Sequence, residues 1–536
     1  MPLHSTEQYS TEQYLSELWP EQCADHWPQQ AIGRLILDSR KVQAGDVFFA
    51  LKGSQQASRM AEFVQSALDQ GAAVVFSEVE LPQFAGQPVF FQPDLRDWIG
   101  VLAQRWLQHT QAVHLPKIAA VTGTNGKTTV TRLLAELLHL AGFSSAVMGT
   151  TGNGVLPNIE PSTHTTVDAI QLQQQLYQFG QQGALYACLE ASSHGLDQGR
   201  LAGTAIEVAI FTNLTRDHLD YHGTLEHYAA AKAKLFGFNS LSHVILNADD
   251  PAYTLMRHSA VQAGHAARIW TYSLHDLQHD LQHDLQHDCL ADSKHDFPDK
   301  PPADFQVQQV AYSLTGAQVR IHTPHGPCQL HSPLLGHFNV SNLLAAVAGA
   351  MAFGLSVAEI ERWVPLLQGA PGRMQVVSDQ SRLFVVDYAH TPDALEQVLR
   401  SLRHHVAASA QLWVVFGCGG DRDRGKRPLM TQVASELADQ VILTADNPRH
   451  ETVMQILDDM LAGLDGQQQR LRVEPDRRLA IRQVVNQASA QDIVVIAGKG
   501  HETYQEIEGV RHWFDDVVEL RAALGLNSAP PPSYPA

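Results

Sequence analysis

A glycine-rich segment near residue 125 has the residue types of a phosphate-binding loop. Residues 121–129 read VTGTNGKTT, follow the apolar run Ile118–Val121 and precede a leucine-rich helical pattern. Glycines let the backbone approach a phosphate, and the start of a helix adds N–H donors and a positive dipole. Lys127 can reach terminal phosphates and Thr128 can ligate Mg²⁺. Since the segment departs from the G-x-x-x-x-G-K-[ST] spacing, it indicates nucleotide binding without separating a kinase, a GTPase and a ligase.

Two polar segments follow later apolar runs of the same region. EASSHG begins at Glu190 after Leu185–Leu189, and NLTRDHLDYHG, which contains His218, comes after Val208–Phe211. The carboxyl ends of parallel strands share one edge, so we expect both segments near the phosphate loop. Each could be a satisfied loop, but Glu190 and His218 together are able to hold Mg²⁺ beside a nucleotide. Lys232, in YAAAK, has on residue type alone the character of a solvated helix lysine.

Charges and glycines also follow four apolar runs near the carboxyl terminus. These segments are DYAHTP (387–392), GCGGDRD (417–423), TADNPRHE (444–451) and GKGHE (498–502). In TADNPRHE we predict a turn into a helix, with Asn447 as the cap and Pro448 as the first helical residue. That leaves Asp446 and Arg449 unexplained, and the pattern suggests a second ligand site.

The elements that position these segments indicate an α/β protein with three domains. Its 536 residues and 44% hydrophobic content allow several cores. Apolar runs alternate with helical patterns, which is typical of doubly wound, mostly parallel sheets. We predict a small N-terminal α/β domain (1–111), a central P-loop ATPase-like domain (112–370), a C-terminal Rossmann-like domain (371–527) and a disordered Pro-rich tail (528–536).

Composition excludes several classes of function. Lys plus Arg is 37 against 56 Asp plus Glu, a net charge of −19, which disfavours a whole-chain nucleic-acid binder. The five cysteines form no C-x-x-C pair, so a disulfide framework or a structural zinc site is not expected. With neither a signal-peptide pattern nor a long apolar run, we expect a cytoplasmic protein without membrane insertion.

Residues 275–288 read HDLQHDLQHDLQHD, an internal repeat. On a helix its histidines would be neighbours and could bind a metal ion. The alternative is a surface insertion, near 275–300, in a tolerant loop. We favour the insertion, because a helical turn of 3.6 residues drifts across a four-residue repeat.

These motifs resemble the Mur ligase family over essentially the full length of the chain. The segments that carry the resemblance are GTNGKTT (123–129), EASSHGLDQGR (190–200), TNLTRDHLDYHG (212–223), GHFNVSNLLAA (336–346), VDYAHTPDAL (386–395), FGCGGDRDRGKRP (416–428), TADNPR (444–449) and AGKGHE (497–502). Together they are far more specific than the phosphate loop alone.

The resemblance implies an ATP- and Mg²⁺-dependent amide ligase. Its substrates would be UDP-N-acetylmuramoyl-L-alanyl-D-glutamate and meso-2,6-diaminopimelate, joined through an acyl phosphate, and we expect a monomer. It implies catalytic roles for Lys127, Glu190, His218 and Lys232, and metal binding by Thr128, Glu190, His218 and Lys232. Lys232 would act as a carbamate, which reverses the reading from residue type. ATP contacts are implied for Gly123, Thr124, Asn125, Gly126, Lys127, Thr128, Thr129, Asn342 and Arg373.

The family match also assigns the other two substrates. Residues implied for the UDP-linked dipeptide are Leu37, Ser39, Thr165, Thr166, Ser192, Gln198 and Arg200. Those implied for diaminopimelate are Arg422, Asp446, Asn447, Pro448, Arg449, Gly498 and Glu502. Two segments depart from the family: 53–57 lacks the histidine of G-H-Q-A, and the 275–288 repeat is additional.

Three alternatives remain open from the sequence. A lysine-adding ligase of the same family is disfavoured by Arg449, because lysine has no distal carboxylate to pair with it. A folylpolyglutamate synthetase is disfavoured by the DNPR turn and by the segment Leu37–Arg40. A nucleotide-binding regulatory protein without turnover is separated only by assay.

Overall fold

The computed structural model of the chain describes residues 13–21, 31–53, 59–108, 113–162, 164–274, 302–379, 382–462, 464 and 470–526. The 275–288 repeat, the segment 54–57 and the predicted tail 528–536 lie outside these ranges. None of the helices within them is long and apolar enough to cross a membrane. The chain forms two compact units, Met1–Lys127 with Leu138–Trp270, and Thr128–Leu137 with Thr271–Ala536.

The first unit contains most elements of the N-terminal half. Its strands are β1 (Gln13–Tyr14), β2 (Ala31–Ile32), β3 (Leu35–Ile36), β4 (Val47–Ala50), β5 (Val74–Ser77), β6 (Val89–Phe91), β7 (Lys117–Thr122), β8 (Ser145–Gly149), β9 (Gly152–Val155), β10 (Tyr186–Glu190), β11 (Ile206–Phe211), β12 (His243–Asn247) and the beginning of β13 (Arg268–Ser273). Its helices are α1 (Leu15–Leu18), α2 (Met60–Asp69), α3 (Leu95–Gln108), the two ends of α4 (Lys127–Leu140), α5 (Ala169–Gln181), α6 (Ser193–Asp197), α7 (Leu219–His222), α8 (Leu225–Ala233) and α9 (Tyr253–Gln262).

Two sheets organise this unit. Strands β3-β4-β5-β6 pair in parallel. The strands of the second, larger sheet that lie wholly in this unit have the order β12-β11-β7-β10-β8-β9, and among them only β9 is antiparallel to its neighbour. Its strands β7, β10 and β11 are almost wholly buried, which explains their unbroken apolar sequences. Their carboxyl ends carry the phosphate loop, the segment beginning at Glu190 and the segment containing His218.

A close backbone approach joins α3 to the larger sheet's helices. α3 packs against α5, and a Cβ on Gly100 of α3 would lie 1.8 Å from the carbonyl oxygen of Ala202. Only glycine therefore fits at that crossing. The N-terminal sheet and the phosphate-loop sheet consequently belong to one packed unit.

The second unit contains the remaining elements. Its strands are the end of β13, then β14 (Phe305–Ser313), β15 (Gly316–Thr323), β16 (Gly326–Ser332), β17 (Gln375–Ser378), β18 (Leu383–Asp387), β19 (Leu412–Phe416), β20 (Gln440–Leu443), β21 (Leu471–Val473), β22 (Ile493–Ala497), β23 (Tyr504–Ile507) and β24 (Val510–Trp513). Its helices are the middle of α4, then α10 (His337–Ala352), α11 (Val357–Trp363), α12 (Pro392–Arg403), α13 (Lys426–Leu437), α14 (Val453–Leu461), α15 (Arg477–Gln487) and α16 (Asp516–Ala523).

A six-stranded sheet forms the core of the C-terminal part. Its order is β17-β18-β22-β19-β20-β21, with every pair parallel except β17–β18. Alternate residues of its strands face two separate cores: Val414 packs among residues of α12–α14, while Val415 packs among those of α15 and α16. Helices thus cover both faces of the sheet, and its carboxyl edge is left for loops.

The predicted fold class is confirmed. Mostly parallel sheets with helices on their faces occur in both units, and the C-terminal sheet is separate from the others. The three domain boundaries drawn from the sequence stay a prediction. The described cysteines, Cys188, Cys328 and Cys418, are buried and unpaired.

Candidate functional site

The phosphate loop connects β7 to α4. Gly123 and Gly126 adopt positive φ angles of 152° and 85°. A Cβ on Gly123 would lie 1.9 Å from Oγ1 of Thr212, at the end of β11. The adjacent Asn213 accepts from the Thr124 N–H at 2.8 Å through its carbonyl and from the Asn125 N–H at 2.9 Å through its side chain. The residues after β11 therefore hold the loop in an open backbone conformation.

Two lysine side chains converge on one carbonyl of this loop. The Lys127 ammonium donates to the carbonyls of Gly123 at 2.9 Å and Thr124 at 2.8 Å. The Lys232 ammonium, on α8, donates to the same Gly123 carbonyl at 2.7 Å. Lys232 is only 1% exposed. Burial, reinforced by the charge of Lys127, holds the pKa of Lys232 well below its usual range. Lys232 is therefore a buried amine beside the loop, whereas residue type alone predicts a solvent-exposed lysine.

Tyr228 connects Lys232 to His218. Its ring lies 4.3 Å from the Lys232 nitrogen, and its hydroxyl donates to Thr124 Oγ1 at 3.2 Å. The His218 ring lies 6.1 Å from the Tyr228 ring and 4.9 Å from that of His194. His218 has a left-handed backbone and a side chain that is half exposed. The αL turn before α7 thus presents this imidazole at the surface near the loop.

Glu190 is a buried carboxylate at the end of β10. It is 2% exposed, and its Oε1 accepts from the Thr150 N–H at 2.7 Å. Its backbone carbonyl accepts from the Thr166 hydroxyl at 2.7 Å, and that hydroxyl in turn accepts from the Ser192 N–H at 3.0 Å. Thr165 bonds to Thr150 through their hydroxyls at 3.0 Å. The structure therefore gathers Glu190, Thr165, Thr166 and Ser192 in one network.

Arg200 and Gln198 extend this network. The Arg200 guanidinium donates to the Thr166 carbonyl at 2.5 Å and to Gln198 Oε1 at 2.7 Å. Desolvation lowers the pKa of Arg200 from its ordinary value. A partly buried cation is consequently held beside the residues that follow β10.

Leu37 and Ser39 lie in a different part of the first unit. Ser39 is buried at the start of a 3-10 helix, and its carbonyl accepts from the Gln70 side chain at 2.8 Å. Leu37 packs against the core of the N-terminal sheet. These contacts join them to that sheet and to α2, apart from the network around Thr166.

Asn342 and Arg373 lie in the second unit, as does Thr128. Asn342 is buried on α10 and donates to Asn339 Oδ1 at 3.0 Å. The Arg373 guanidinium stacks 4.6 Å from the Tyr388 ring, and within the described residues its buried Nε has no hydrogen-bond partner. Burial, and next the charge of Arg373, lower the pKa of His501 to about 4. Tyr388 and His501 were not predicted as site residues, although both lie in the polar segments that follow apolar runs near the carboxyl terminus.

Loops at the carboxyl edge of the six-stranded sheet bring the remaining predicted residues together. Asn447 Nδ2 donates to Glu502 Oε2 at 2.8 Å. Gly498 has a φ of 112°, and a Cβ there would lie 2.6 Å from Asp446 Oδ2. The Asn447–Glu502 hydrogen bond therefore joins the loops after β20 and β22, and the Asp446 carboxylate faces Gly498 across the same two loops.

The prediction that Asn447 caps a helix and Pro448 begins it is wrong. The helix α14 begins at Val453, and Thr452 is its cap, accepting from the Gln455 N–H at 3.3 Å. The buried Asn447 side chain is already used, since its Oδ1 accepts from the Glu506 N–H at 3.0 Å. Long-range partners therefore override the local capping preference of Asn-Pro.

Arg449 lies on the loop after β20 and contacts the loop after β19; these two loops and the loop after β22 are together called the pocket. Its φ is 52°, its guanidinium donates to the Gly420 carbonyl at 2.8 Å, and its Nε is 3.5 Å from Glu506. Pro448 meets the same loop, because a Cβ on Gly420 would lie 1.9 Å from the Pro448 carbonyl oxygen. Arg422, also on the loop after β19, is exposed. The loops of the pocket thus carry two carboxylates, those of Asp446 and Glu502, and two guanidinium groups, those of Arg422 and Arg449.

Several buried cations near this pocket were not predicted, and two of them contact carboxylates of its loops. Lys499 is 0% exposed, and its ammonium donates to Asn447 Oδ1 and Glu502 Oε2, both at 3.1 Å. Arg427 is buried and donates to both Glu451 oxygens, at 2.8 and 3.0 Å. In the sequence, both residues lie only in glycine-rich segments that follow strands. That position does not identify the side chains they bind.

The chain was compared with protein families, with curated proteins and with solved structures. The family profile described as Mur ligase middle domain matches residues 121–350, and that described as Mur ligase, glutamate ligase domain, matches residues 372–500. The chain is 44% identical over 498 residues to the UDP-N-acetylmuramoyl-L-alanyl-D-glutamate–2,6-diaminopimelate ligase of Ectopseudomonas mendocina, covering 92% of this chain and 95% of that protein. A solved structure of a ligase with the same name is 50% identical, with a TM-score of 0.72, covering 96% of this chain and 99% of that one. A MurF ligase from Thermotoga maritima, solved in complex with ADP, shares the fold at 16% identity, with a TM-score of 0.53 and coverage of 87% of this chain and 93% of that one.

Proposed function

Because the chain belongs to the Mur ligase family, we propose that it is the ATP-dependent ligase that adds meso-2,6-diaminopimelate to UDP-N-acetylmuramoyl-L-alanyl-D-glutamate in peptidoglycan precursor synthesis. The observation that carries the proposal is the pocket in which Asn447 donates to Glu502 at 2.8 Å, while Asp446 and Arg449 lie on the same loop as Asn447. It suits an amino acid whose far end carries both an ammonium and a carboxylate. The relatives that match nearly the whole chain carry this activity in their names.

The chemistry consists of two displacements. The D-glutamyl carboxylate attacks the γ-phosphorus of ATP, and ADP leaves with the electrons of the broken P–O bond. The amine of diaminopimelate then attacks the acyl phosphate carbonyl, loses a proton, and phosphate leaves as the amide forms. Neither step needs a protein nucleophile, so positioning and charge neutralisation account for catalysis. We assign to Lys127 the neutralisation of negative charge on the transferring phosphoryl group, and to Gly123–Thr129 the binding of the nucleotide phosphates. Asn342 and Arg373 stay predicted nucleotide contacts.

The residues assigned to Mg²⁺ fit a cation that keeps part of its water shell. The buried Glu190 carboxylate and the Thr128 hydroxyl are hard oxygen donors, and His218 adds an accessible nitrogen. Among the described residues no three His, Cys, Asp or Glu side chains already form a metal-binding group. Mg²⁺ usually takes one or two carboxylates with waters and phosphate oxygens, so the Glu190 carboxylate and the Thr128 hydroxyl fit this ion. When bound, the ion neutralises charge on the phosphates.

We further propose that Lys232 is carbamylated. Carbon dioxide reacts with a neutral amine, and the buried position of Lys232 disfavours its ammonium form. The carbamate places a negative charge where two lysines otherwise face one carbonyl. It thereby relieves their repulsion and supplies a further oxygen donor for the metal.

The network around Thr166 is the proposed contact surface for the sugar and peptide of the nucleotide-linked substrate. Thr165, Ser192, Gln198 and Arg200 supply hydroxyl, amide and guanidinium groups there. Leu37 and Ser39, which pack with the N-terminal sheet, are assigned to the uridine end. An extended substrate can contact both regions of the same unit.

The lysine-adding alternative is weaker at the same pocket. Diaminopimelate offers a distal carboxylate to Arg449 and a distal ammonium to Asp446 or Glu502. Lysine supplies the ammonium alone and leaves Arg449 without a ligand partner. Sites that pair with a polar group reject analogues lacking that group, because the site's own groups are then left unpaired.

Amino-acid-dependent phosphate release tests the proposed function. Purified protein with ATP, Mg²⁺ and UDP-N-acetylmuramoyl-L-alanyl-D-glutamate should release phosphate when meso-diaminopimelate is added and far less with lysine. Preference for lysine would establish the alternative ligase, while no release with either amino acid would favour a regulatory nucleotide-binding protein. Since ATP and UDP-linked precursors are cytoplasmic metabolites, we place the reaction in the cytoplasm; the expected monomer stays a prediction.

A further inference from the structure

Lys499 closes a hydrogen-bonded triangle beneath the amino-acid pocket. It lies in the loop after β22, and none of its surface is exposed. Its ammonium donates at 3.1 Å to both Asn447 Oδ1 and Glu502 Oε2, and Asn447 Nδ2 donates to the same Glu502 oxygen at 2.8 Å. Each member of the triangle therefore restrains the other two.

Asp446 is held at the edge of this triangle. Its Oδ1 lies 3.9 Å from the Lys499 nitrogen, and its Oδ2 lies over the bare Cα of Gly498. The backbone carbonyl of Asp446 accepts from Gln505 at 3.0 Å. One buried ammonium is thus shared between two carboxylates on different loops.

The charges of this group are unequal. Asp446 and Glu502 carry two negative charges, and Lys499 supplies one positive charge, so one negative charge remains for a ligand. A buried ion without a partner is costly, so the remaining negative charge favours a ligand that brings one positive charge of its own. A single ligand ammonium balances the group, and a distal carboxylate is left for Arg449.

Another buried cation, Arg477, already holds the backbone of the two pocket loops together. Arg477 donates to the carbonyls of Ala445 at 3.2 Å and Ala497 at 2.9 Å, the residues directly before Asp446 and Gly498. It also makes a bidentate pair with Asp516, at 2.7 Å for each bond. Arg477 ties the two strand ends together through their backbone, whereas the Lys499 ammonium contacts side chains of the pocket.

We propose that Lys499 is a specificity-determining positioning residue, which holds Asp446 and Glu502 together as a receptor for one ligand ammonium. Its single charge leaves the pocket suited to an amino acid with a zwitterionic far end. This inference rests on the proposed function, since it assigns the selectivity of the same pocket.

The test compares Lys499→Met, Lys499→Gln and Lys499→Arg with the wild type. KM and kcat are measured for ATP, the UDP-linked dipeptide and diaminopimelate, with lysine as a competing amino acid. Lys499→Met should raise the KM for diaminopimelate at least about tenfold, the usual scale for losing a charged hydrogen bond. The ratio of kcat/KM for diaminopimelate to that for lysine should fall by a similar factor, because the more negative pocket favours the cationic substrate. KM for ATP and the dipeptide should stay within about twofold.

The other variants separate charge from shape. Lys499→Gln keeps donors without the charge, so it should lose selectivity as Lys499→Met does, and it serves if the methionine variant does not fold. Lys499→Arg should retain more of the selectivity than either. Arg477→Lys is the control for backbone damage and should lower the melting temperature without changing the amino-acid ratio.

Two results would overturn the inference. One is a folded Lys499→Met or Lys499→Gln protein with unchanged diaminopimelate KM and unchanged amino-acid ratio. The other is a parallel rise in the KM of all three substrates, as general loosening would give. The wild-type assay reports separately on the proposed function: wild-type use of diaminopimelate with insensitive variants rejects only the role of Lys499, whereas a wild type inactive with diaminopimelate rejects both.

Discussion

The ammonium of Lys232 donates a 2.7 Å hydrogen bond to the carbonyl of Gly123, the first glycine of the phosphate loop. Lys127 donates to that same carbonyl at 2.9 Å. Burial and the charge of Lys127 disfavour a positive charge on Lys232 at this shared acceptor. The first two predictions follow from this contact.

Replacing Lys232 by alanine should lower turnover by about 10²–10³-fold, the scale for losing one electrostatic contact to the transition state. Acetate or propionate should restore part of the activity by occupying the place of the carbamate. Lys232→Arg is the matched control, because it keeps a cation that does not form a carbamate and should be inactive without rescue. Full activity of Lys232→Ala, unaffected by carboxylates, would refute the role.

Stability should depend on pH through Lys232. Burial lowers its pKa in the folded protein, so between that lowered pKa and the ordinary lysine value of about 10.4 the unfolded chain binds more protons. The free energy of unfolding should therefore rise with pH across this window. Denaturant titrations in carbonate-free buffer should find the slope in the wild type and a smaller one in Lys232→Met. Equal slopes in the two proteins would contradict the assignment.

Arg449→Ala should spare ATP binding and raise the KM for diaminopimelate by about 10–100-fold, as expected for a charged hydrogen bond. The change also removes the bond to the Gly420 carbonyl, so loop damage must be separated from ligand loss. Comparison with lysine as substrate separates them, because lysine offers nothing to Arg449. An equal loss with both amino acids would indicate loop damage instead of carboxylate recognition.

Because α14 is capped by Thr452 and not by Asn447, substitutions at these two residues should have different effects. Thr452→Ala removes the cap of α14 and should cost about 1 kcal/mol of stability without raising the KM for diaminopimelate. Asn447→Ala breaks the bonds to Glu502, Lys499 and Glu506, and it should raise that KM. Thermal unfolding and steady-state kinetics of both variants check the assignment. The reverse pattern would return Asn447 to the role of a cap.

Deletion of residues 275–288 should leave turnover within about twofold of the wild type, because the sequence predicts that this repeat is an insertion in a tolerant loop. The assay is the same phosphate release, with circular dichroism as the control for folding. A large loss of turnover in a folded deletion protein would restore a functional role for the histidine repeat.

The sequence by itself determined the buried strands and the polar loops that follow them. The apolar runs Ile118–Val121 and Val208–Phe211 lie within the strands β7 (Lys117–Thr122) and β11 (Ile206–Phe211). Buried parallel strands read as continuous apolar segments, and parallel strands end at one edge, so both inferences need only local pattern and topology. The same reasoning placed the phosphate loop before α4 and charged loops after the C-terminal strands.

Only the tertiary structure decided what the side chains in those loops contact. The capping preference of Asn447 is local, yet its partners are Glu502, Lys499 and Glu506, each more than fifty residues away. Lys232 has an ordinary helical sequence around it, and its burial comes from packing beside the phosphate loop. Burial and long-range hydrogen bonds depend on which segments meet in space, which neither periodicity nor residue type encodes.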